Sequence, residues 1–240
     1  MEAGHPGSPG VPGGPTPGAA GPGARGPAGR EPDVGPGRDP TGGRLAGWTP
    51  ADPGPLGLAG FAGTTFVLSM INANLVSGPL TDVPVVLGLA LAYGGLAQLL
   101  AGMWEFRTGN TFGAVAFTSY GAFWISFYIL VKVGLAPTGG VPKAHQGSAI
   151  GLYLWMWAIF TTYMFVASLR TTGAVALVFL LLAATFIILA IGNSGGNVST
   201  IKVGGYVGIA TAIAAWYASF AAVINSTFGR VIAPVFPLAR

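Results

Sequence analysis

The sequence of 240 residues contains no cysteine, only two histidines and few charged side chains. Without cysteine, disulfides, thiolate metal sites and cysteine nucleophiles are all excluded. Only 8% of the residues are charged, against about a quarter in an ordinary soluble domain. What the chain does contain is apolar: 52% of its residues are hydrophobic, and the mean hydropathy is +0.64. So few charges cannot cover a soluble surface, and the composition therefore predicts a polytopic membrane protein.

The first fifty residues differ in composition from the rest of the chain. They are dominated by glycine, proline and alanine, and the strict Gly-X-Y period of collagen is not sustained. Such a segment buries too little apolar surface to offset the entropy lost on ordering. We expect residues 1–50 to form a disordered tail, residues 51–230 a transmembrane domain, and residues 231–240 a short C-terminal tail.

Long apolar stretches follow the tail, each near the roughly 20 residues that a membrane-spanning helix requires. They predict an all-α fold with six transmembrane helices, at about 56–76, 83–104, 111–133, 149–168, 172–192 and 203–224. The breaks between them carry helix-ending residues, for example at 77–79 and 105–107. Six spans place both termini on the same side of the membrane.

The basic residues indicate which side that is. If the termini are cytoplasmic, the lysines all fall on the far side, and the cytoplasmic side holds the arginines: Arg25, Arg30, Arg38, Arg44, Arg107, Arg170, Arg230 and Arg240. Leaving out the tail, the count still favours the cytoplasmic side by four to three. The positive-inside rule therefore predicts cytoplasmic termini.

The predicted spans contain almost no ionisable residues. Glu105 stands at the end of the second span, Lys132 at the end of the third and Lys202 just before the sixth, while His5 and His145 lie outside the spans. A pump or ion-coupled carrier commonly keeps a carboxylate or histidine near the middle of the membrane. Their scarcity favours a path lined by hydroxyls, amides and backbone groups.

Uncharged polar side chains do recur within the spans. Thr64 and Thr65 follow Phe61 by three and four positions, near its helical face, and Gln98 lies seven residues before Glu105, on the same face. Each of them can equally bond to its own helix or join two helices. Their recurrence on several spans indicates that some face a shared cavity.

One aromatic residue of the third span is singled out by its neighbours. The aromatic residues of this span are mostly packing residues, but Tyr120 stands between Ser119 and Gly121. Small neighbours predict that its hydroxyl is reachable.

The motifs of enzymes and nucleotide-binding proteins are not matched by this sequence. The glycine-rich residues 192–197 follow a spanning helix instead of a Rossmann strand. Two distant histidines without cysteine make no metal-ligand set, and no serine has a recognisable histidine and acid partnership. We therefore expect no enzyme activity, no cofactor, no metal and no nucleic-acid partner.

Four ordered motifs resemble the acetate uptake transporters, also called the succinate–acetate permease family. The family signature N-P-A-P-L-G-L, followed by G-F, is similar to residues 52–58 and 60–61 here, with two substitutions. The other similar stretches are residues 93–98, 109–124 and 190–193. The resemblance covers about residues 50–235 and leaves out the tail.

This resemblance implies a homo-hexamer in the plasma membrane, in which acetate, succinate or similar small carboxylates pass through a narrow pore within each protomer. It implies an apolar constriction made by Phe61, Tyr120 and Leu182, and an effect of Ala215 on substrate size. With the polar residues above, the predicted substrate contacts are Leu56, Gly57, Leu58, Thr64, Thr65, Gln98 and Asn193.

The start of the first span is the predicted pore entrance, formed by Asp52, Pro53 and Pro55. Prolines have no amide proton, and the N–H groups of residues 56–58 are expected to lack partners one turn earlier. Free donors at the positive end of a helix suit a carboxylate. A compatible alternative makes Asp52 an ordinary N-cap, with proline at the first helical position.

Asp52 departs from the family pattern, which has asparagine there. A like charge about 4 Å from an anion costs about 4 kcal/mol at an effective dielectric of 20. Asp52 either caps the helix with its charge turned away, or is protonated when substrate passes, or the substrate range differs.

The scarcity of acids favours passive passage or entry as the neutral acid. The alternatives are a channel for a small neutral solute, a membrane-embedded enzyme and a non-transporting membrane sensor.

Overall fold

The computed structural model describes residues 1, 48, 50–76 and 84–238, and its architecture is a bundle of six helices. Each is long and apolar enough to cross a membrane, so the predicted all-α fold with six candidate spans is confirmed. The helices are α1 (Gly54–Asn72), α2 (Val85–Thr108), α3 (Thr111–Gly134), α4 (Lys143–Ser168), α5 (Gly173–Ser194) and α6 (Val198–Phe228). The predicted disordered tail falls almost wholly outside the described residues, as does the break at 77–79.

Several helix boundaries differ from the prediction. Helix α4 begins at Lys143 instead of 149, and α6 begins at Val198 instead of 203, so Lys202 lies inside α6 and not before it. The predicted break at 105–107 is wrong, because α2 runs through Glu105 and ends where Gly109 takes a left-handed conformation with φ 79°. A glycine in this conformation is a common way to end a helix.

Three helices begin with a side-chain cap that the sequence supplies. The side-chain oxygen of Asn110 accepts from the Gly113 N–H at 3.1 Å at the start of α3. Equivalent caps start α5 at Thr172 and α6 at Asn197. These residues satisfy amides that would otherwise lack partners at the first turn.

Helices α1 and α6 run antiparallel along each other. At one end, the Ser219 hydroxyl donates to the Pro55 carbonyl oxygen at 2.7 Å. At the other end, Gly205 lies so close to the backbone of Ala73 that an added methyl group would overlap with it. The start of the first span and the end of the last therefore meet at the same end of the bundle. Which side of the membrane this end faces stays a prediction.

Helix α2 contains a wide, π-helical turn at Ala92–Ala97. Within it, Gly94 packs where a methyl group would come within 2.6 Å of the Thr64 hydroxyl oxygen and 2.8 Å of the Trp124 ring. The turn therefore brings α2 into close contact with both α1 and α3. Turns of this kind interrupt helices frequently at functional sites, and this one directly precedes Gln98.

The end of the chain packs onto the bundle as far as it is described. The Gly173 N–H donates to the Phe236 carbonyl oxygen at 2.7 Å, and the Leu238 N–H donates to the Thr171 carbonyl oxygen at 3.0 Å. The Asn225 side-chain oxygen accepts from the amides of residues 232 and 233. Up to residue 238, the predicted C-terminal tail is thus held against the start of α5.

Large apolar side chains cover the outer surface of the bundle. On α4, exposed Leu152, Ile159 and Val166 recur at intervals of seven residues and form one stripe. A stripe of this kind suits contact with lipid or with another membrane helix. A separate cluster of aromatic residues, which includes Phe61, Tyr120 and Phe123, lies in the interior, where the candidate site is.

Candidate functional site

Three cavities follow one another through the interior of the bundle. We call them the terminal cavity, at the end where Asp52 lies, with a volume of about 360 Å³, the central cavity, of about 20 Å³, and the distal cavity, of about 260 Å³. The central cavity shares Leu58 and Phe179 with the terminal cavity, and Phe61 and Leu182 with the distal cavity. Two wide spaces are thus separated by a narrow one.

The central cavity brings together the three residues of the predicted constriction. Phe61, Tyr120 and Leu182 are all buried and all line it. The ring centres of Phe61 and Tyr120 lie 5.7 Å apart. The ring centre of Phe179 lies 6.0 Å from that of Tyr120. A volume of 20 Å³ holds about one water molecule. The constriction is therefore closed to a carboxylate unless these side chains move.

The hydroxyl of Tyr120 is not reachable, contrary to the prediction from its small neighbours. It forms a hydrogen bond of 2.9 Å with the Thr161 hydroxyl of α4, and both side chains are buried. The space beside Gly121 is filled by Leu99, whose backbone and Cβ lie within 2.7 Å of where a methyl group would be. Small neighbours here serve helix packing, and Tyr120 contributes its ring to the cavity.

Gln98 is the second polar residue of the central cavity. Its side chain is only 1% exposed, and its Oε1 has no hydrogen-bond partner among the described residues. It follows the wide turn of α2 and lines the same cavity as Phe61 and Leu182. A buried amide without a partner for its oxygen is uncommon, so the narrowest point of the interior holds an unsatisfied acceptor.

The terminal cavity is lined by two carboxylic residues, Asp52 and Glu105. The Glu105 side chain is 2% exposed, and its Oε2 accepts from the Thr108 hydroxyl at 3.0 Å. Oxygens of both carboxyl groups lie within 3.6 Å of one point, where a methyl group on Gly54 would sit. We did not predict Glu105 as a site residue, although a carboxylic residue beside an apolar span is by itself a sign of function.

The structure corrects the expected free amides at the start of α1. The Gly57 N–H donates to the Pro53 carbonyl oxygen at 3.1 Å, which is the first hydrogen bond of the helix. Among the N–H groups of residues 56–58, only that of Leu56 therefore lies before this bond. The Asp52 Oδ1 accepts from the Gly54 N–H at 2.9 Å. The N-cap of α1 is Pro53, so the alternative that made Asp52 the N-cap is wrong, and Asp52 lies one residue earlier. Its bond occupies the Gly54 N–H, so few donors remain for an anion.

The distal cavity has hydroxyl, amide and indole groups in its wall but no ionisable side chain among the described residues that line it. The Thr65 Oγ1 and the Trp124 Nε1 are buried without a hydrogen-bond partner in the described structure. The Asn193 Nδ2 donates to the Leu189 carbonyl oxygen at 2.8 Å, which leaves its own Oδ1 available. Of the predicted contacts, Thr65 and Asn193 lie here.

Other predicted contacts do not line the three cavities. The Leu56 side chain is 47% exposed on the outside of α1. Gly57 packs against the ring of Phe117, which a methyl group would approach to 2.6 Å. The Thr64 hydroxyl donates to the Gly60 carbonyl oxygen at 2.9 Å. Of the alternatives given for Thr64 above, the structure thus has the bond to its own helix.

Two further predicted residues are also buried away from the cavity walls. Ala215 lies within the packed core of α6, and Pro53 is covered at the start of α1. The pore entrance that the sequence predicted is thus represented in the terminal cavity by Asp52 and Pro55.

Comparison with known proteins gives consistent matches. Residues 44–240 match the GPR1/FUN34/yaaH family. Acetate permease A of Emericella nidulans is 44% identical over 197 residues, which covers 77% of this chain and 65% of that protein. The succinate-acetate/proton symporter SatP of Escherichia coli is 39% identical over 185 residues, which covers 77% of this chain and 95% of that protein.

A solved structure agrees with these matches. The structure of the bacterial acetate channel SatP is similar to this fold, with a TM-score of 0.71 and 37% sequence identity, over 78% of this chain and 99% of that one. The matched part of the chain spans just under two thirds of the length of the fungal relatives.

Proposed function

Because the chain belongs to the GPR1/FUN34/yaaH family, the acetate uptake transporters, we propose that it transports acetate and related small carboxylates, including succinate, across a membrane. It is a transporter or channel and not an enzyme. The observation that carries the proposal is the series of three cavities, which meet at a constriction inside a single chain.

The solute passes through each protomer and not between protomers. The cavities share lining residues in sequence, from Leu58 at the terminal side to Leu182 at the distal side. The central cavity is the point where solutes are selected by size, because Phe61, Tyr120 and Leu182 close it. A small methyl-bearing acid suits an apolar constriction of this kind, since moving its methyl group out of water is favourable.

The protomers assemble as a homo-hexamer in the plasma membrane, with cytoplasmic termini. The apolar stripe of α4 and the distribution of basic residues support this arrangement. Measuring the particle mass in lipid nanodiscs tests the assembly, and a monomer mass at all concentrations contradicts it.

Uptake of radiolabelled acetate into proteoliposomes tests the function. We expect uptake faster than in protein-free vesicles, and abolished by Ala116→Phe, since Ala116 lines both the central and the terminal cavities. Ala122→Phe is the matched control, because it makes the same change on an outward-facing position of α3. Uptake no faster than in empty vesicles refutes the proposal.

A further inference from the structure

We propose that Gln98 selects the undissociated acid at the constriction. Its amide N–H donates to the carbonyl oxygen of the acid, while its Oε1 accepts the hydrogen bond of the acid O–H. This rests on the proposed function, the transport of small carboxylates, and specifies which protonation state of the solute passes.

The unsatisfied oxygen of Gln98 carries the argument. It lies in a side chain that is 1% exposed, it lines the central cavity, and it has no donor in the described structure. Leaving a buried acceptor unpaired is unfavourable, so a solute that donates to it is favoured. An ionised carboxylate carries no donor, whereas a neutral carboxylic acid carries one O–H.

The hydrogen-bonding groups of the Gln98 amide and of the neutral acid are complementary as well. A primary amide presents one donor and one acceptor side by side, and a neutral acid presents the matching acceptor and donor. An ionised acid would instead place a negative oxygen against the Gln98 Oε1. The same residue therefore favours the acid over its anion by a hydrogen bond gained and a repulsion avoided.

The surroundings of Gln98 offer nothing that holds a charge. The other residues that line the central cavity are apolar except Tyr120, whose hydroxyl is shared with Thr161. In the part of the chain that the structure describes, no lysine, arginine or histidine lines any of the three cavities. Removing an anion from water without a compensating charge is far more costly than removing a neutral acid.

The terminal cavity adds a second reason. Asp52 and Glu105 line it, and an ionised carboxylate there repels an anion at close range, whereas a neutral acid meets no such barrier. Each acid molecule takes up a proton from the solution it leaves and releases it into the solution it enters. One proton thus moves with each carboxylate without any relay side chain.

The first experiment uses the unmodified protein in proteoliposomes at sub-saturating acetate, with the uptake of protein-free vesicles subtracted. We expect uptake at fixed total acetate to fall about tenfold for each pH unit above the pKa of the acid, in step with its neutral fraction, and to be unchanged by an imposed membrane potential. Uptake that follows total acetate, or that is driven by the potential, overturns the inference and leaves the transport function intact. Absence of uptake at every pH refutes the transport function instead.

The second experiment changes Gln98 itself. We expect Gln98→Leu to lower uptake by about tenfold, because the acid O–H then loses its acceptor. Gln98→Glu should retain uptake only at acidic pH, where the new side chain is protonated and presents the same donor and acceptor. The control is Gln146→Leu, the same change at a residue that bonds to Val141 away from the cavities. A folded Gln98→Leu protein with unchanged uptake and pH profile overturns the inference, and the first experiment decides it if this variant does not fold.

Discussion

The terminal and distal cavities both have mostly apolar walls but differ in the polar groups that these walls carry. The terminal cavity, of about 360 Å³, is lined by Asp52 and Glu105. The distal cavity, of about 260 Å³, has the unpaired Thr65 hydroxyl and Trp124 indole N–H in its wall, and none of its described lining residues is ionisable. Only a central cavity of about 20 Å³ lies between them.

In the proposed path, this difference means that a carboxylate meets different groups at the two ends. At one end an anion meets two carboxylic side chains, and a like charge at about 4 Å costs about 1 kcal/mol in water and about 4 kcal/mol at a dielectric of 20. At the other end it meets neutral donors and acceptors. The two approaches to the constriction are therefore chemically unequal, and this inequality can be altered one residue at a time.

The largest effect is expected on stability, from a substitution that forces α2 away from α1 and α3. Gly94→Val places methyl groups against Thr64 and Trp124, where even a Cβ comes within 2.8 Å of both. We expect a destabilisation of about 3 kcal/mol, as for other overpacked cores, seen as a lower melting temperature in detergent. Gly88→Val is the control, because nothing lies within 4 Å of that position on the same helix. Equal melting temperatures would show that α2 is not held by this contact.

The next largest effect is expected at the boundary between the cavities. Leu182→Ala widens the central cavity, which should raise uptake of larger monocarboxylates relative to acetate by about tenfold, the lower end of what one methylene group is worth in a fitted pocket. Competition uptake with propionate and butyrate measures this ratio. Leu180→Ala is the control, since Leu180 is exposed on the outside of α5. The same ratio in both variants would remove Leu182 from the constriction.

A smaller effect is expected from removing one charge of the terminal cavity. Asp52→Asn keeps the oxygen that accepts from the Gly54 N–H but removes the carboxylate. We expect the ratio of acetate uptake measured without and with ionised succinate as a competitor to rise, because succinate should bind in the terminal cavity about fivefold more tightly once about 1 kcal/mol of repulsion is lost. The difference from the unmodified protein should shrink at high salt, which screens such repulsion. An unchanged ratio at low salt would place Asp52 outside the path.

The smallest effect is expected in the distal cavity. Thr65→Val removes an unpaired hydroxyl, so we expect uptake at low acetate to fall about threefold with little change in stability. Thr64→Val is the control, because its hydroxyl bonds to Gly60 away from the cavities. If Thr64→Val lowers uptake as much as Thr65→Val, the distal hydroxyl has no special role.

Much of the fold was predictable because membrane-spanning helices can be recognised from the length of apolar runs in the sequence. The six spans, the meeting of α1 and α6 at one end, and the grouping of Phe61, Tyr120 and Leu182 all agree with expectation. The last of these came from resemblance to a family, since no local pattern of an aromatic residue shows that it faces a cavity.

The errors have physical causes. The break placed at 105–107 failed because a charged pair looked like a helix end, whereas the α2 helix buries Glu105 and stops at Gly109. Thr64 and Thr65 are adjacent in sequence but differ in outcome, one bonded to its own helix and one facing the distal cavity. Such a difference depends on which direction a helix faces after packing, and the sequence alone does not contain that rotation.

The wide turn at Ala92–Ala97 determines the direction that the second half of α2 faces. Each residue of an α-helix turns the next by about 100°, so a helix that carries an extra residue in one turn has its two halves set at a different angle. Winding the same residues as a regular α-helix would rotate Gln98 and the residues after it by about 100° around the axis, relative to the residues before the turn. The orientation of Gln98 at the central cavity therefore depends on how many residues the turn at Ala92–Ala97 contains.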